Sequence, residues 1–318
     1  MALSNCTASS WLGVRNMLKS SGADWLALRV FCLCFCQCFC LCFFLVRPAF
    51  ALQVVDDLGV PLNLDKPPQR IVSLLPSLTE SVCALSQCQR LVGVDEYSNF
   101  PASVRQLPLL GSGLVPSIEA IVALKPDLVL LASSSRASQR LQSLGIKVLA
   151  LEPKTHADLL RVLKTLGEVL GLPPSAALQL WQGIDAQLNA VNASLSPNAR
   201  GSRVYIEVGR GPYAAGESSF IGQTLARLGA RNIVPAALGP FPQLNPEFVL
   251  AADPDVLIVS SRSSEGLVLY PGWASMRAVR AGRVCVLSPE QADMVVRPGP
   301  RLADGARLIA KCLEEHKR

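Results

Sequence analysis

The 318-residue sequence has little histidine and little charge. It contains two histidines, and 17% of its residues are Asp, Glu, Lys or Arg. Because sites for a bare metal ion gather several histidine and carboxylate ligands, so few histidines argue against a metal-ion receptor and against a metal cofactor. His156 falls in the first turn of a predicted helix and His316 in the charged C-terminal tail. We therefore expect both side chains to be solvated rather than catalytic.

Signatures of common enzymes are missing as well. The sequence has no Gly-x-Ser-x-Gly nucleophile elbow, no phosphate loop of the Gly-Lys-Ser/Thr type and no His-Glu-x-x-His zinc motif. The lone glycine pair Gly209 and Gly211 is too weak a pattern to predict a nucleotide site. We expect no catalytic residue and no cofactor. An enzyme and an adaptor without a small ligand remain as alternatives.

The charge balance gives no sign of a nucleic-acid partner. The whole chain has a formal net charge of +6. Residues 1–51 contain four basic side chains and one acidic side chain, which leaves 26 basic and 23 acidic residues, a net charge of +3, in the remainder. A bias of this size is too weak to predict binding to nucleic acid.

The first 51 residues have the pattern of a secretory signal peptide. Arg15 and Lys19 precede an almost uninterrupted apolar run over residues 25–46, and a small-x-small site follows at residues 49–51. These three regions are the marks of a cleaved export signal. We expect an exported, soluble protein that begins near Leu52. A retained membrane anchor is the alternative, because about 20 apolar residues can span a bilayer.

The cysteines divide between the two parts of the chain. Seven of the 11 fall within residues 1–51, where bulky residues precede each cysteine of the apolar run, which argues against attachment of a lipid. Export implies an oxidising compartment, in which disulfides form. The close spacing of Cys83 and Cys88 favours a bridge from a helix end to the following turn, with two buried thiols as the alternative. Cys285 and Cys312 receive no assignment.

The rest of the chain alternates short strands with helices. The first four strands that we predict are short and apolar: 71–75, 91–94, 128–131 and 147–151. Ser77 and Glu80 have the spacing of a capping box, which predicts that a helix begins there. Thr155 and Asp158 are predicted to cap another helix. Strands that alternate with helices predict parallel β-α-β units.

A long amphipathic helix is predicted in the middle of the chain, from Pro173 to Leu195. Its apolar residues recur every three or four positions, which places them on one face: Leu178, Trp181, Ile184, Leu188, Val191 and Leu195. The alternation of strands and helices begins again after residue 198.

The second half of the chain repeats the first. Ser117 and Glu119 match Asn245 and Glu247 at an offset of 128. Each pair consists of a helix-capping residue and a glutamate two positions later, followed by an apolar helix, Pro-Asp and a strand. Matching patterns in the same order predict duplicated units.

The fold class predicted from these patterns is α/β, with two similar parallel-sheet lobes joined by one long helix. The N-terminal lobe spans residues 52–172, the linking helix 173–198 and the C-terminal lobe 199–318. Ligands of such sheets bind beyond the carboxyl ends of the strands. Two lobes that face each other therefore create a ligand cleft between them.

Three segments resemble the helical-backbone solute-binding proteins of ABC importers: residues 70–80, 91–101 and 118–128. The resemblance extends from about Gln69 to Cys312. It implies a monomeric periplasmic protein that works with a permease and ATPase complex. It also implies that the ligand is cobalamin, another corrinoid or a related metal chelate, with a ferric siderophore or haem as the alternative.

The resemblance implies a docking site on each lobe. Glu119 and Glu247 stand at the positions of acidic side chains that dock onto arginines of the permease, and carboxylate–arginine pairs give such contacts geometric specificity. The plainer interpretation is a helix-end role for each residue, because the helix dipole favours a glutamate in the first turn by about 0.3–1 kcal/mol.

The resemblance also implies a set of ligand-binding residues. Tyr97, Tyr213, Phe241 and Arg297 stand at positions that face the ligand in the family. The chain departs from the cobalamin-binding members at residues 111–113, where Gly-Ser-Gly replaces a region with a tryptophan. The missing aromatic surface leaves the identity of the ligand open.

Overall fold

Two parallel β-sheets form the centre of the computed structural model, which describes residues 52–209, 211–261 and 270–315. The predicted signal segment, residues 1–51, and His316 lie outside these ranges. Among the described residues, no helix combines the length and the apolar character that crossing a bilayer requires.

The N-terminal lobe is built around a four-stranded parallel sheet. An antiparallel hairpin precedes it, formed by β1 (Leu52–Val55) and β2 (Pro61–Leu64). The strands of the sheet are β3 (Ile71–Ser73), β4 (Leu91–Val94), β5 (Leu128–Leu131) and β6 (Val148–Ala150). Its helices are α1 (Pro76–Ala84), α2 (Ile118–Ala123), α3 (Ala137–Ser143) and α4 (His156–Val169). Every residue of β3, β5 and β6 is buried, as expected for parallel strands that are covered on both faces.

The C-terminal lobe has a second sheet of similar construction. Its strands are β7 (Arg203–Gly209), β8 (Tyr213–Ala214), β9 (Arg231–Asn232), β10 (Val256–Ser260) and β11 (Val284–Leu287). Its helices are α6 (Phe220–Arg227), α7 (Pro246–Ala252), α8 (Arg277–Arg280), α9 (Pro289–Val296) and α10 (Leu302–Glu315). The parallel strands lie in the order β9-β7-β10-β11, which matches β4-β3-β5-β6 in the first sheet, and β8 adds an antiparallel edge. The predicted α/β class with two similar parallel-sheet lobes is confirmed.

The repeated Pro-Asp dipeptide has the same structural role in both sheets. Asp127 precedes β5 and accepts a hydrogen bond of 3.0 Å from the backbone N–H of Arg70. Asp255 precedes β10 and accepts the equivalent bond of 2.8 Å from Arg203. Each aspartate ties the start of one central strand to its neighbour, which explains why the dipeptide recurs at the same place in the pattern.

A 21-residue helix, α5 (Pro174–Ser194), lies between the two sheets in chain order. The buried positions on it are Ala177, Ile184, Leu188 and Val191, which pack in one core with residues of α4 and of the C-terminal lobe. Leu178 was expected in the apolar stripe but is 39% exposed. The face that packs therefore runs through position 177 instead. The role of residues 173–198 as the linker between lobes stays a prediction.

The helix starts match the sequence patterns unevenly. Thr155 and Asp158 form the predicted capping box at the start of α4. The box predicted from Ser77 to Glu80 is wrong, because α1 begins at Pro76 and its N-cap residue has no side-chain hydrogen bond. Proline in the first turn lacks the N–H that a cap would satisfy. Glu80 therefore does not cap α1. Its carboxylate instead accepts hydrogen bonds from arginines of the other lobe.

The structure contains two disulfides among its described residues. One joins Cys83 in α1 to Cys88 in the following 3-10 helix, which is the bridge favoured by the spacing. The other joins Cys285 in β11 to Cys312 in α10. No sequence pattern predicts this second pair, because the two cysteines lie 27 positions apart in different elements.

Candidate functional site

A cleft of about 1160 Å³ lies between the two lobes, at the carboxyl ends of the strands of both parallel sheets. The N-terminal lobe contributes Pro76, Glu96, Tyr97 and Asn99. The C-terminal lobe contributes the ends of β7, β10 and β11 and much of α9: Ile206–Gly209, Ser260, Ser261, Leu287, Ala292, Asp293 and Val295–Arg297. This is the place at which parallel α/β sheets bind ligands.

The end of β7 forms one wall of the cleft and carries a buried carboxylate. Glu207 is 4% exposed, and the hydroxyl of Tyr205 donates to its Oε2 atom at 3.1 Å. Burial, together with the charge of Glu207, raises the pKa of Tyr205 well above its usual value. The phenol therefore remains a donor and helps to orient the carboxylate. The sequence analysis missed Glu207, although its place at the end of a central strand is where functional residues of this architecture collect.

The loop after β4 presents Tyr97 at the cleft. Asp95 folds this loop, because its carboxylate accepts hydrogen bonds from the Tyr97 N–H at 3.1 Å and from the Ser98 hydroxyl at 2.5 Å. Burial raises the pKa of Asp95, although these hydrogen bonds and the charge of Arg297 act in the opposite direction. The Tyr97 side chain is 55% exposed, so it offers its surface to a ligand.

Arg297 also lines the cleft, but its guanidinium is bonded to the protein. Nη1 donates to Glu80 Oε1 at 3.0 Å and to Asn99 Oδ1 at 2.9 Å. Nη2 donates to the backbone oxygen of Tyr97 at 2.9 Å and to Asp293 Oδ2 at 2.7 Å. The bonds to Glu80, Asn99 and Tyr97 connect the two lobes across the end of the cleft, whereas the bond to Asp293 lies within the C-terminal lobe.

Glu80 is the centre of these interlobe contacts, and sequence reasoning missed it. Its Oε2 atom accepts from Nε of Arg301 at 2.9 Å, and its Oε1 atom accepts from Nη2 at 2.5 Å. The guanidinium of Arg301 lies 4.2 Å from the ring centre of Phe100. The only sequence signal is the pair of arginines that flanks Pro298-Gly299-Pro300, which does not indicate a partner.

Two of the predicted ligand-binding residues are not among the described residues that line the cleft. Tyr213 pairs with Gly209, a lining residue, through the β7–β8 contact. Phe241 lies with its ring centre 6.1 Å from that of Phe220. Both are partly exposed, at 42% and 38%. The structure therefore brings Tyr97 and Arg297 together at the cleft and places Tyr213 and Phe241 beyond its described lining.

Glu119 and Glu247 lie in the first turns of α2 and α7 with their side chains exposed. The N-cap side chains bond as the repeat predicts: Ser117 Oγ accepts from the Ala120 N–H at 3.3 Å, and Asn245 Oδ1 accepts from the Glu247 N–H at 3.0 Å. Neither glutamate is among the described residues that line the cleft. Each lobe therefore presents an exposed glutamate at a helix start, outside the described lining.

His156 is not solvated as expected. Its Nε2 atom lies 3.1 Å from the backbone oxygen of Phe220 and 3.0 Å from the hydroxyl of Thr224, both in α6 of the other lobe. Burial lowers the pKa of His156 below its ordinary value of 6.5. The expectation failed because a first-turn position does not reveal whether another lobe covers it. Within the described residues, no group of three or more His, Cys, Asp or Glu side chains could hold a metal ion.

Comparison with known proteins identifies relatives along most of the chain. An uncharacterised ABC transporter substrate-binding lipoprotein of Bacillus subtilis is 27% identical over 275 residues, which cover 83% of this chain and 86% of the relative. The vitamin B12-binding protein of Salmonella typhimurium is 29% identical over 250 residues, or 77% of this chain and 90% of the relative.

A solved structure agrees with these relatives. The crystal structure of a periplasmic heme-binding protein from Pseudomonas aeruginosa matches with a TM-score of 0.69 and 30% identity, and covers 79% of this chain and 94% of that one. The family model of periplasmic binding proteins matches residues 71–291, which include both parallel sheets and most of the described residues that line the cleft. The chain belongs to the periplasmic binding protein family.

Proposed function

We propose that this chain is the substrate-binding component of an ABC importer, which captures a large ligand in the cleft and delivers it to a membrane permease. The observation that carries the proposal is the cleft of about 1160 Å³ with walls from both lobes. Pockets for drug-sized ligands occupy roughly 300–1,000 Å³. The cleft therefore suits a large chelate better than a single ion or a small solute, and the chain acts as a binding protein rather than an enzyme.

The lining favours cobalamin or another corrinoid as the ligand. Glu96 supplies an exposed carboxylate, and the apolar side chains at the end of β7 and on α9 supply contact area. The described lining contains one arginine, Arg297, and its terminal nitrogens bond to the protein. Acceptors beside apolar walls suit a macrocycle with an apolar face and a rim of amide N–H groups.

Haem or a ferric siderophore is the second candidate. The heme-binding protein of Pseudomonas aeruginosa, at 30% identity, is the observation in its favour. Titration calorimetry of the protein with cyanocobalamin, haemin and a panel of ferric chelates tests both candidates. We expect heat from cyanocobalamin first. Heat from haemin or a ferric chelate alone assigns the cleft to that ligand, and no heat from any probe contradicts the proposed function.

We also propose that Glu119 and Glu247 dock the protein onto its permease. An exposed ion pair contributes only about 0–1 kcal/mol. A carboxylate that becomes buried against arginines at an interface costs about 2–5 kcal/mol when it is truncated. Two such contacts, one on each lobe, would fix the orientation of the cleft above the transporter. The protein acts as a monomer in this arrangement, with the permease and ATPase complex as its partner.

The docking assignment is tested with the double change Glu119→Ala and Glu247→Ala. Ligand affinity and thermal stability should remain near wild type, because both side chains are exposed and lie outside the cleft lining. Uptake, or ATP hydrolysis by the reconstituted transporter, should fall strongly. Normal transport by the double variant would contradict the docking assignment and leave both residues with a role only at the start of their helices.

We propose further that residues 1–51 are an export signal, cleaved so that the mature chain begins near Leu52 in the periplasm. The small-x-small site at residues 49–51 supports cleavage. The relative from Bacillus subtilis is a lipoprotein by its name, so a lipid-anchored form is the competing outcome. Mass analysis of the protein from its native envelope distinguishes a free N-terminus near Leu52, a lipid-modified cysteine and a retained apolar segment.

A further inference from the structure

A buried cluster of polar groups connects the two lobes at one end of the cleft. We call it the interlobe clasp: Glu80 and Asn99 from the N-terminal lobe, and Asp293, Arg297 and Arg301 from the C-terminal lobe. Glu80 is 3% exposed and accepts hydrogen bonds from both arginines. Asn99 Nδ2 donates to Asp293 Oδ2 at 3.0 Å, which adds a further bond between the lobes.

The clasp reaches the cleft through the backbone of Tyr97. The carbonyl oxygen of Tyr97 accepts from Arg297 at 2.9 Å, and its N–H donates to Asp95 at 3.1 Å. The neighbouring Ser98 hydroxyl lies 2.8 Å from that of Thr79 in α1. The peptide groups on both sides of Tyr97 are thus held by side chains, so the direction of its ring depends on the position of Arg297.

We propose that Glu80 and Arg301 are positioning residues of the ligand cleft. They fix the guanidinium of Arg297, which holds Tyr97 and Asn99 at the wall of the opposite lobe. Neither Glu80 nor Arg301 lines the cleft. The effect on ligand binding rests on the proposed function, whereas the positioning is a property of the chain without ligand.

Glu80 positions Arg297 through its negative charge. The guanidinium groups of Arg297 and Arg301 both bond to one carboxylate, so they lie close to each other. Like charges at such separations repel when no opposite charge lies between them. A buried charge that loses its partner is also strongly disfavoured. Without the Glu80 charge, Arg297 keeps its bond to Asp293 within its own lobe but loses its charged partner in the other lobe, so it holds the loop that carries Tyr97 less firmly.

Glu80→Gln is the informative change, because it keeps the shape of the side chain and removes its charge. Glu152→Gln is the matched control, since Glu152 accepts hydrogen bonds from Ser133 and Ser134 within the N-terminal lobe alone. Two quantities are measured: amide hydrogen exchange of residues 95–100 in the unliganded protein, and calorimetric affinity for cyanocobalamin, haemin and a ferric hydroxamate.

We expect Glu80→Gln to exchange at least about tenfold faster at residues 95–100 and to bind the wild type's preferred probe about tenfold more weakly, which corresponds to about 1.4 kcal/mol. The control should stay near wild type in both measurements. Arg301→Met should act in the same direction as Glu80→Gln, and Arg301→Lys, which keeps the charge, should restore part of the affinity. Arg301 is at the edge of the clasp, with its side chain 11% exposed, so its variants serve if Glu80→Gln does not fold.

An unchanged or higher ligand affinity in Glu80→Gln would overturn the proposal. If Arg297 bound an anionic ligand directly, removing the Glu80 charge would release its guanidinium, and affinity would hold or rise. Unchanged exchange at residues 95–100 in both Glu80→Gln and Arg301→Met would equally exclude positioning. If the wild type binds none of the probes, the proposed function fails, and the exchange measurement alone still decides whether the clasp holds the loop.

Discussion

The two lobes share a strand order but contribute unequally to the cleft. Of the described lining residues, the N-terminal lobe supplies four and the C-terminal lobe twelve. The main N-terminal contribution is the loop after β4, and Arg297 of the other lobe holds that loop. Duplicated folds therefore need not have equivalent roles, because a loop lines the cleft in the N-terminal lobe, whereas strand ends and α9 line it in the C-terminal lobe.

Three glutamates near helix starts also differ in their surroundings. Glu119 and Glu247 occupy equivalent exposed positions at first helical turns, whereas Glu80, in the second turn of α1, is 3% exposed. The first two face outward on each lobe and the third joins the lobes. Glutamate near a helix start is therefore exposed to solvent at two positions and buried in contacts between the lobes at the third.

The sharpest test of this comparison is the stability of Glu→Ala variants. Glu80→Ala should lower the free energy of unfolding by about 3–5 kcal/mol, because it leaves two buried arginines without their shared partner. Glu119→Ala and Glu247→Ala should each change it by no more than about 0.5 kcal/mol, as is usual for exposed sites. Urea unfolding measures all three. A similar cost at the three positions would remove the distinction between them.

The disulfides offer a second comparison between the lobes. On the chain-entropy model, loss of the Cys285–Cys312 bridge should cost about 3.5 kcal/mol and loss of the Cys83–Cys88 bridge about 2 kcal/mol, because the first closes a loop of 27 residues and the second a loop of five. Paired Cys→Ala variants, unfolded in urea, measure each cost.

The ranking of the two bridges is the informative result. A larger loss in the variant without Cys83 and Cys88 would show that local packing at the end of α1, and not loop length, sets the contribution of the bridge. The wild type unfolded after reduction serves as the control, since it should lose the stability of both bridges together.

Aromatic residues of the two lobes should differ in their effect on ligand affinity. Tyr97 lines the cleft, so Tyr97→Ala should weaken binding by about fivefold to tenfold, which lies in the upper half of the range of about 0.5–1.5 kcal/mol for an aromatic contact. Phe241 lies beyond the described lining, so Phe241→Ala should leave affinity within about twofold of wild type. Calorimetry with the bound probe measures both. The reverse order would place the ligand on the C-terminal side of the cleft mouth.

The smallest expected effect is on how the stability of the protein depends on pH, through the contact of His156 in α4 with α6. Burial lowers the pKa of His156, so the folded protein binds a proton there less readily than the unfolded chain. The stability from this contact is therefore complete above pH 6.5 and decreases as the pH falls below that value. The loss comes from the burial of the charged imidazole, because the hydrogen bond to the Phe220 carbonyl favours the charged form and acts against the loss.

His156→Gln should remove this component of the pH dependence while keeping a polar side chain at the position. Thermal unfolding of the variant and the wild type at pH 8 and pH 5 supplies the comparison. An equal loss of stability in both proteins would attribute the acid sensitivity to other groups.

Local patterns predicted most of the fold, and distant partners explain what they missed. The strands at 128–131 and the caps at Ser117 and Asn245 depend on nearby residues, so the sequence indicates them directly. The partners of Glu80 lie 217 and 221 positions away. No local pattern could pair them, and a helix start with the spacing of a capping box pointed to the wrong role.

The candidate site was predictable only in part for the same reason. Tyr97 follows a central strand, and its position at the cleft follows from the topology of a parallel sheet. Glu207 follows the same rule, but a single acidic residue within an apolar strand carries no signal of its own. Phe241 lies in a long loop, whose path depends on tertiary contacts such as that with Phe220.

The central claim is that the cleft holds one large ligand, and native mass spectrometry of the protein isolated from its native cell envelope tests it most directly. We predict a complex of one chain with one corrinoid or related metal chelate, and less bound ligand in Tyr97→Ala. A bare polypeptide mass, together with no calorimetric response to cyanocobalamin, haemin or ferric chelates, would contradict the account.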